Sequence, residues 1–286
     1  MGRSRAFYLQ LAFTLLVCAF LIVPVGMSIL AGFTANFFEG VGSGLTLRWV
    51  GEVWRLYADT ILRSLLVAVS TLGVTLVAGV PAAYVLAKRP GVLTRLIEEF
   101  LVLPVAIPGL ATALALIITY GSFRGFRTSW TFILVGHVLY TLPFMIRSVL
   151  AVLSSIDFRT LEEGAASLGA GFWRRLATVV LPNASPGILA GALTVVTLSI
   201  GEFNLTWMLH TPNTKTLPVG LADSYASMRL EIGSAYTVVF FVMIMPLLVA
   251  LQRFGGERQR ARKPVPEEAP LPLGMAPGIS GGGVTP

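Results

Sequence analysis

SLLVAVSTLGVTLVAGVPAAYVLA, residues 64–87, is a run of twenty-four uncharged residues. As an α-helix rising about 1.5 Å per residue, it is long enough to cross a hydrocarbon layer roughly 30 Å thick, which takes about 20 apolar residues. Its apolar residues are continuous rather than alternating, so it reads as a helix and not as a strand of a barrel. Outward from it, five further stretches have the same character: 11–33, 100–120, 128–146, 187–209 and 232–252. The chain of 286 residues is 55% hydrophobic and 12% charged, and its mean hydropathy is +0.79. Soluble domains carry about 25% charged residues, so this composition excludes a soluble globular protein. The pattern predicts an all-α integral membrane protein with six transmembrane helices.

The placement of charge gives the expected orientation. Lys and Arg number 21 against 14 Asp and Glu, for a net charge of +7. With the N-terminus inside, fourteen of the basic residues fall in inner segments and seven in outer ones. That asymmetry predicts N-in and C-in. The basic surplus is then topological, and no basic domain outside the membrane is left to bind nucleic acid. Arg3 and Arg5 before the first stretch resemble the start of a signal peptide. The apolar run is longer than a usual signal core, however, and Val17 is too bulky for a lipoprotein cleavage site before Cys18, so a retained helix is expected. Lone Cys18 makes no internal disulfide, and with two histidines it makes no structural zinc site.

Chemistry-bearing motifs are absent. Lys215-Thr216 lacks the preceding glycines of a phosphate cradle, and no H-E-x-x-H, C-x-x-C, G-x-S-x-G or G-x-G-x-x-G occurs. His137 lies within a span and reads as a histidine hydrogen-bonded between helices. No enzyme is visible. The outer connections are expected at residues 34–60, with Trp49 and Trp54 as interfacial anchors, and at 210–231. The tail after Phe254 is rich in Pro and Gly and is expected to be disordered. The chain divides into an N-terminal helix and outer loop (1–58), a transmembrane domain (59–252), and the tail (253–286).

The informative polar stretch is the inner segment DFRTLEEGAASLGAGFWRRLATVVLP, residues 157–182. Asp157 or Thr160 can cap a helix, and Thr160 with Glu163 has capping-box spacing. The helix should run to about Leu168 and end at Gly169 in a left-handed conformation. A second helix should run from Trp173 to Leu181, until Pro182 and Pro186 break it. The small run Gly164-Ala165-Ala166 would let the first helix dock closely on another surface.

This segment resembles the EAA loop of ABC-type importer permeases, here spanning about residues 154–186. Glu163, Gly164, Ala165, Ala166, Leu168, Gly169, Leu181 and Pro182 stand at the family's spacing, with Gly164 where Ala is usual and Val179 where Ile is usual. Leu45-Thr46-Leu47-Arg48-Trp49, Pro81-Ala82-Ala83-Tyr84, Leu103-Pro104…Pro108-Gly109, Glu202-Phe203 and Thr216-Leu217-Pro218-Val219 extend the likeness. They are most similar to the spermidine/putrescine, aminoethylphosphonate and ferric-iron branches. The resemblance implies a non-catalytic permease of the bacterial inner membrane with no cofactor of its own. ATP and Mg are bound by a cytoplasmic ABC ATPase dimer that docks on the EAA loop. A second permease subunit, identical or homologous, and an extracytoplasmic solute-binding protein complete the implied assembly. A secondary transporter and a non-transporting membrane assembly subunit are the alternatives.

Pro104 and Pro108, which free backbone carbonyls, and Glu202 with Asn204, polar groups inside a span, are candidates for the translocation pathway. For Glu202 two readings stand: it lines the pathway, or it sits at the interface hydrogen-bonded to Asn204.

Overall fold

A computed structural model describes residues 5–260. Arg3 and the tail from residue 261 lie outside the described residues. Among the described residues the regular elements are helices, and the one β pairing is an isolated antiparallel bridge between Thr34 and Leu45.

The first apolar stretch is α1 (Arg5–Ala31), none of whose side chains is buried. The second, α2 (Arg48–Lys88), begins well before residue 64 and bends at Tyr57, whose φ of −129° and ψ of 20° are not helical. Trp49 and Trp54 therefore lie on a helix, not in the outer loop expected over residues 34–60. The extension forms because Val53, Tyr57 and Ile61, at i, i+4 and i+8, make an apolar stripe that packs against Leu217, Ile232 and Tyr236.

The third stretch is not one span-length helix. It divides into α3 (Val92–Phe100), α4 (Leu103–Ala106) and α5 (Gly109–Tyr120), with a bend of 97° between the α3–α4 and α5 segments. The break sits at Ile107, whose ψ is 133°. A residue before proline is pushed out of the α region, and Pro108 imposes that here.

A short α6 (Arg124–Arg127) leads to α7 (Trp130–Ser154), capped by Ser129, whose side chain accepts from the Thr131 N–H. Then come α8 (Phe158–Ser167), α9 (Phe172–Arg175), a π-helical turn (Leu176–Val180), α10 (Leu181–Gly201), α11 (Asn204–Leu209), α12 (Leu217–Ala226) and α13 (Leu230–Arg260). Pro182 and Pro186 do not break the chain as expected, because Phe172–Gly201 forms one 30-residue helix. Pro182 follows directly on the π-helical turn, inside this continuous helix. The preceding π turn absorbs the register change, and the Asn183 side chain donates to the Val179 carbonyl at 2.7 Å. The fifth span ends sooner than expected, at Gly201, with Glu202 extended at ψ 122°. Helix α12 occupies part of the expected outer loop 210–231, and α13 continues to Arg260, past the expected end of order at Phe254.

Five described helices are long and apolar enough to cross a membrane, or six if the bent pair counts as one span. Their core is a close three-helix junction built on small residues. A Cβ on Gly79 of α2 would meet Met145 of α7 at 2.8 Å, and one on Gly191 of α10 would meet the Met145 sulfur, also at 2.8 Å. One turn further along, Ser148 of α7 donates its hydroxyl to the Gly187 carbonyl of α10 at 2.9 Å. Helices in lipid associate through such close backbone approach and interhelical hydrogen bonds, since lipid tails are as apolar as the side chains.

Candidate functional site

The segment after α7 folds as a compact helical hairpin at the end of the bundle that carries the C-termini of α2 and α7. Asp157 caps α8: it accepts from the Thr160 N–H at 3.4 Å and from the Thr160 hydroxyl at 2.7 Å. These bonds hold its carboxyl below its ordinary value. Thr160 thus serves the Asp157 cap; the capping-box partner proposed for it, Glu163, is exposed. Gly169 ends the helix with φ +80°, a conformation that costs about 1–2 kcal/mol for a residue with a Cβ.

The outer side of this hairpin is open and apolar. Leu168 is 90% exposed and Trp173 76% exposed, with Leu161 and Phe172 beside them in the sequence and also exposed. Glu163, Gly164, Ala166, Leu181 and Pro182 are exposed as well, while Ala165 is half-buried. A Cβ at Gly164 would meet nothing within 4 Å. Gly164→Ala is therefore expected to stabilise α8, by up to about 1 kcal/mol of helix propensity, read as a small rise in the midpoint of thermal unfolding.

The inner side holds residues that sequence reasoning passed over. Glu162, 3% exposed, accepts from Tyr84 at 2.9 and 3.1 Å and from Lys88 at 3.0 and 3.2 Å, and Arg175 lies 3.6 Å away. Arg159 donates to the Ala87 and Lys88 carbonyls at 3.1 and 2.7 Å, where the negative end of the α2 dipole also favours it. A signal was present: Phe158, Glu162 and Ala165 recur at helical spacing and form the inward face of α8. Burial acts to raise the Glu162 pKa, but hydrogen bonds from Lys88 and Tyr84 and the Lys88 and Arg175 charges outweigh it, and the carboxyl is held below its ordinary 4.5. A carboxyl lowered in the folded state stabilises above its unfolded value and loses that contribution as pH falls through the lowered one. Unfolding of the purified protein in detergent should thus show an acid-labile component confined below pH 4.5 and missing from Glu162→Gln.

The pathway candidates divide. Pro104 lies against α7, in an apolar groove of about 240 Å³ with Leu139, Leu142 and Pro143. Pro108 and Asn204 are exposed and are brought together, since a Cβ on Gly109 would lie 3.4 Å from the Asn204 Cβ. The breaks in the third and fifth stretches thus face each other. Glu202 is not bonded to Asn204. Its carboxylate caps α11, accepting from the N–H groups of Leu205 and Thr206 and from the Thr206 hydroxyl, each at 2.8 Å.

His137, buried, sits 2.8 Å from both the Ser199 and the Thr206 hydroxyls. The Thr206 hydroxyl donates to Glu202, so the bond between Thr206 and His137 is donated by His137 Nε2. Arg127 closes the other end of α11, donating to the Leu209 carbonyl at 2.7 Å. Glu202→Ala strands these donors in an apolar body, at about 3 kcal/mol. Its thermal midpoint should fall by about 6–12 °C in detergent, at roughly 2–4 °C per kcal/mol.

The profile of the family described as binding-protein-dependent transport system inner membrane component matches residues 76–255, which include the bent third stretch, the hairpin, α10–α12 and most of α13. The chain belongs to this family. The 2-aminoethylphosphonate transport system permease protein PhnV of Salmonella typhimurium is 28% identical to this permease over 256 residues, covering 88% of this chain and 94% of that protein. The molybdenum transport system permease protein ModB of Escherichia coli K12 is 26% identical over 182 residues, covering 58% and 79% of the two chains. Among solved structures, a bacterial ABC transporter involved in the import of the acidic polysaccharide alginate shares the fold with a TM-score of 0.68 at 17% identity, over 90% of this permease and 96% of that chain. The inward-facing MetNI methionine ABC transporter shares it at 0.58 and 19% identity, over 73% and 97%.

Proposed function

We propose that this permease forms the translocation pathway of an ATP-driven importer and couples ATPase closure to solute uptake through residues 154–186. The observation that carries this reading is the exposed apolar surface of Leu161, Leu168, Phe172 and Trp173 on the α8–α9 hairpin, at the end of the bundle and within the matched family region. Exposed apolar patches of this kind mark protein interfaces. In the proposed assembly six spans lie N-in and C-in in the bacterial inner membrane, so that the hairpin faces the cytoplasm and meets an ABC ATPase dimer that binds ATP and Mg. A second permease subunit completes the pathway, and an extracytoplasmic solute-binding protein delivers the solute. The facing breaks at Pro108 and Glu202–Asn204 are the candidate lining of the pathway.

Glu163→Ala and Gly169→Asp test this reading. Both should insert normally into the membrane, retain less ATPase on affinity purification, and lower ATP-dependent uptake at least tenfold. Normal uptake with normal ATPase retention in both variants would remove the docking role. Uptake by the wild-type complex that does not require ATP would turn the reading towards a secondary transporter, and absence of uptake towards an assembly subunit.

A further inference from the structure

An ionic joint lies between the docking hairpin and the bundle. Glu162 is buried on a helix whose other side is open, and its partners belong to other elements: Tyr84 and Lys88 to the last turns of α2, Arg175 to α9. The Tyr84 ring is 6.2 Å from Phe158 and 6.4 Å from Phe172, so it contacts both helices of the hairpin. Arg159 adds two bonds to the terminal carbonyls of α2.

Attachment alone does not call for a buried carboxylate, because well-packed apolar residues of similar volume hold buried surfaces at least as firmly as an ion pair does. What the ion pair adds is one register. It is either made in full or leaves the buried Glu162 charge unpaired, so it resists the small slips that apolar surfaces tolerate. Along the chain, α8 is joined to α7 through the turn at Ser155 and to α9 through the left-handed Gly169, so neither junction continues the helix.

We propose that Glu162, with Lys88 and Tyr84, locks α8 to the end of α2, so that displacement of the hairpin moves α2 as one body with it. These are positioning residues, since they do not face the docking surface. Through the Gly79–Met145–Gly191 junction, α2 then carries the movement to α7 and α10. The inference rests on the reading of the hairpin as the ATPase dock.

The test uses the full complex with its ATPase in lipid nanodiscs. Spin labels are placed on cysteines at Ser167 of α8 and Val77 of α2, both exposed, in a Cys18→Ala background, with ATPase retention checked for the labelled protein. Their separation is read by pulsed electron paramagnetic resonance without nucleotide and with ADP–vanadate trapped. In the otherwise wild-type complex the separation should change by less than about 2 Å between the two states, the size of an ordinary helix shift. In Glu162→Gln it should change by about 4 Å or more, or broaden, with the ATPase still bound. The apolar pair Glu162→Met/Lys88→Met, expected to be stable, should behave like Glu162→Gln, and it carries the test if the single variant does not accumulate. Lys88→Arg, which keeps the charge, should preserve the fixed separation. A separation that changes as much in wild type as in the variants, or stays fixed in ATPase-bound variants, would overturn the proposal. Failure of the wild-type permease to retain the ATPase would instead overturn the docking reading, and this inference with it.

Discussion

Gly187→Leu is expected to yield no stable permease. The position lies where α10 crosses α7, and a Cβ there would sit 2.6 Å from the Ser148 carbonyl oxygen and 3.0 Å from the Val149 Cα. Both are backbone atoms of a long helix, which cannot swing aside as the end of a side chain can. The larger side chain would part the helices and stretch the bond from the Ser148 hydroxyl to the Gly187 carbonyl. Overpacking a core costs about 1–3 kcal/mol, and more where backbone must move. Gly201, where a Cβ meets nothing within 4 Å, is the matched control. Gly187→Leu should be degraded or aggregate on detergent extraction, whereas Gly201→Ala should give a monodisperse protein in normal yield. A monodisperse Gly187→Leu variant with an unchanged thermal midpoint would contradict the packing described for α7 and α10.

Leu168→Asp combined with Trp173→Ala is expected to release the ATPase while leaving the membrane domain intact. Both residues are among the most exposed large apolar side chains of the hairpin, so their replacement removes no buried contact from the bundle. Central apolar anchors of an interface are each worth about 2 kcal/mol or more on truncation, which is about 30-fold in affinity per residue. The double variant should therefore lose retained ATPase by two to three orders of magnitude at equal expression, and ATP-dependent uptake with it. Its thermal midpoint without the ATPase should match wild type. Retention within threefold of wild type would place the docking surface elsewhere.

Much of the membrane character was legible along the chain, because hydrocarbon demands long uncharged helices and composition alone declares them. The inner polar stretch declared a helix, a left-handed glycine and a second helix through its cap and spacing. Asp157, Phe158–Ser167 and Gly169 take those places in the structure. Prolines were legible as perturbations but not in their outcome. Pro108 breaks a helix because the residue before it must be extended, whereas Pro182 is carried inside one because a π turn precedes it. That difference depends on which carbonyls find other donors, which is a property of the packed chain.

Of the two adjacent glutamates, the resemblance singled out Glu163, yet Glu162 turns inward. Helical phase relative to Phe158 selects Glu162, but its partners Tyr84 and Lys88 lie 78 and 74 residues away, beyond the reach of any local pattern. The same holds for Glu202. Sequence showed a carboxylate inside an apolar stretch, and only the fold could cap α11 with it and set Thr206 between it and His137. Local chemistry settles what a residue needs when it is taken out of water. Which distant group meets that need is settled by how the helices pack.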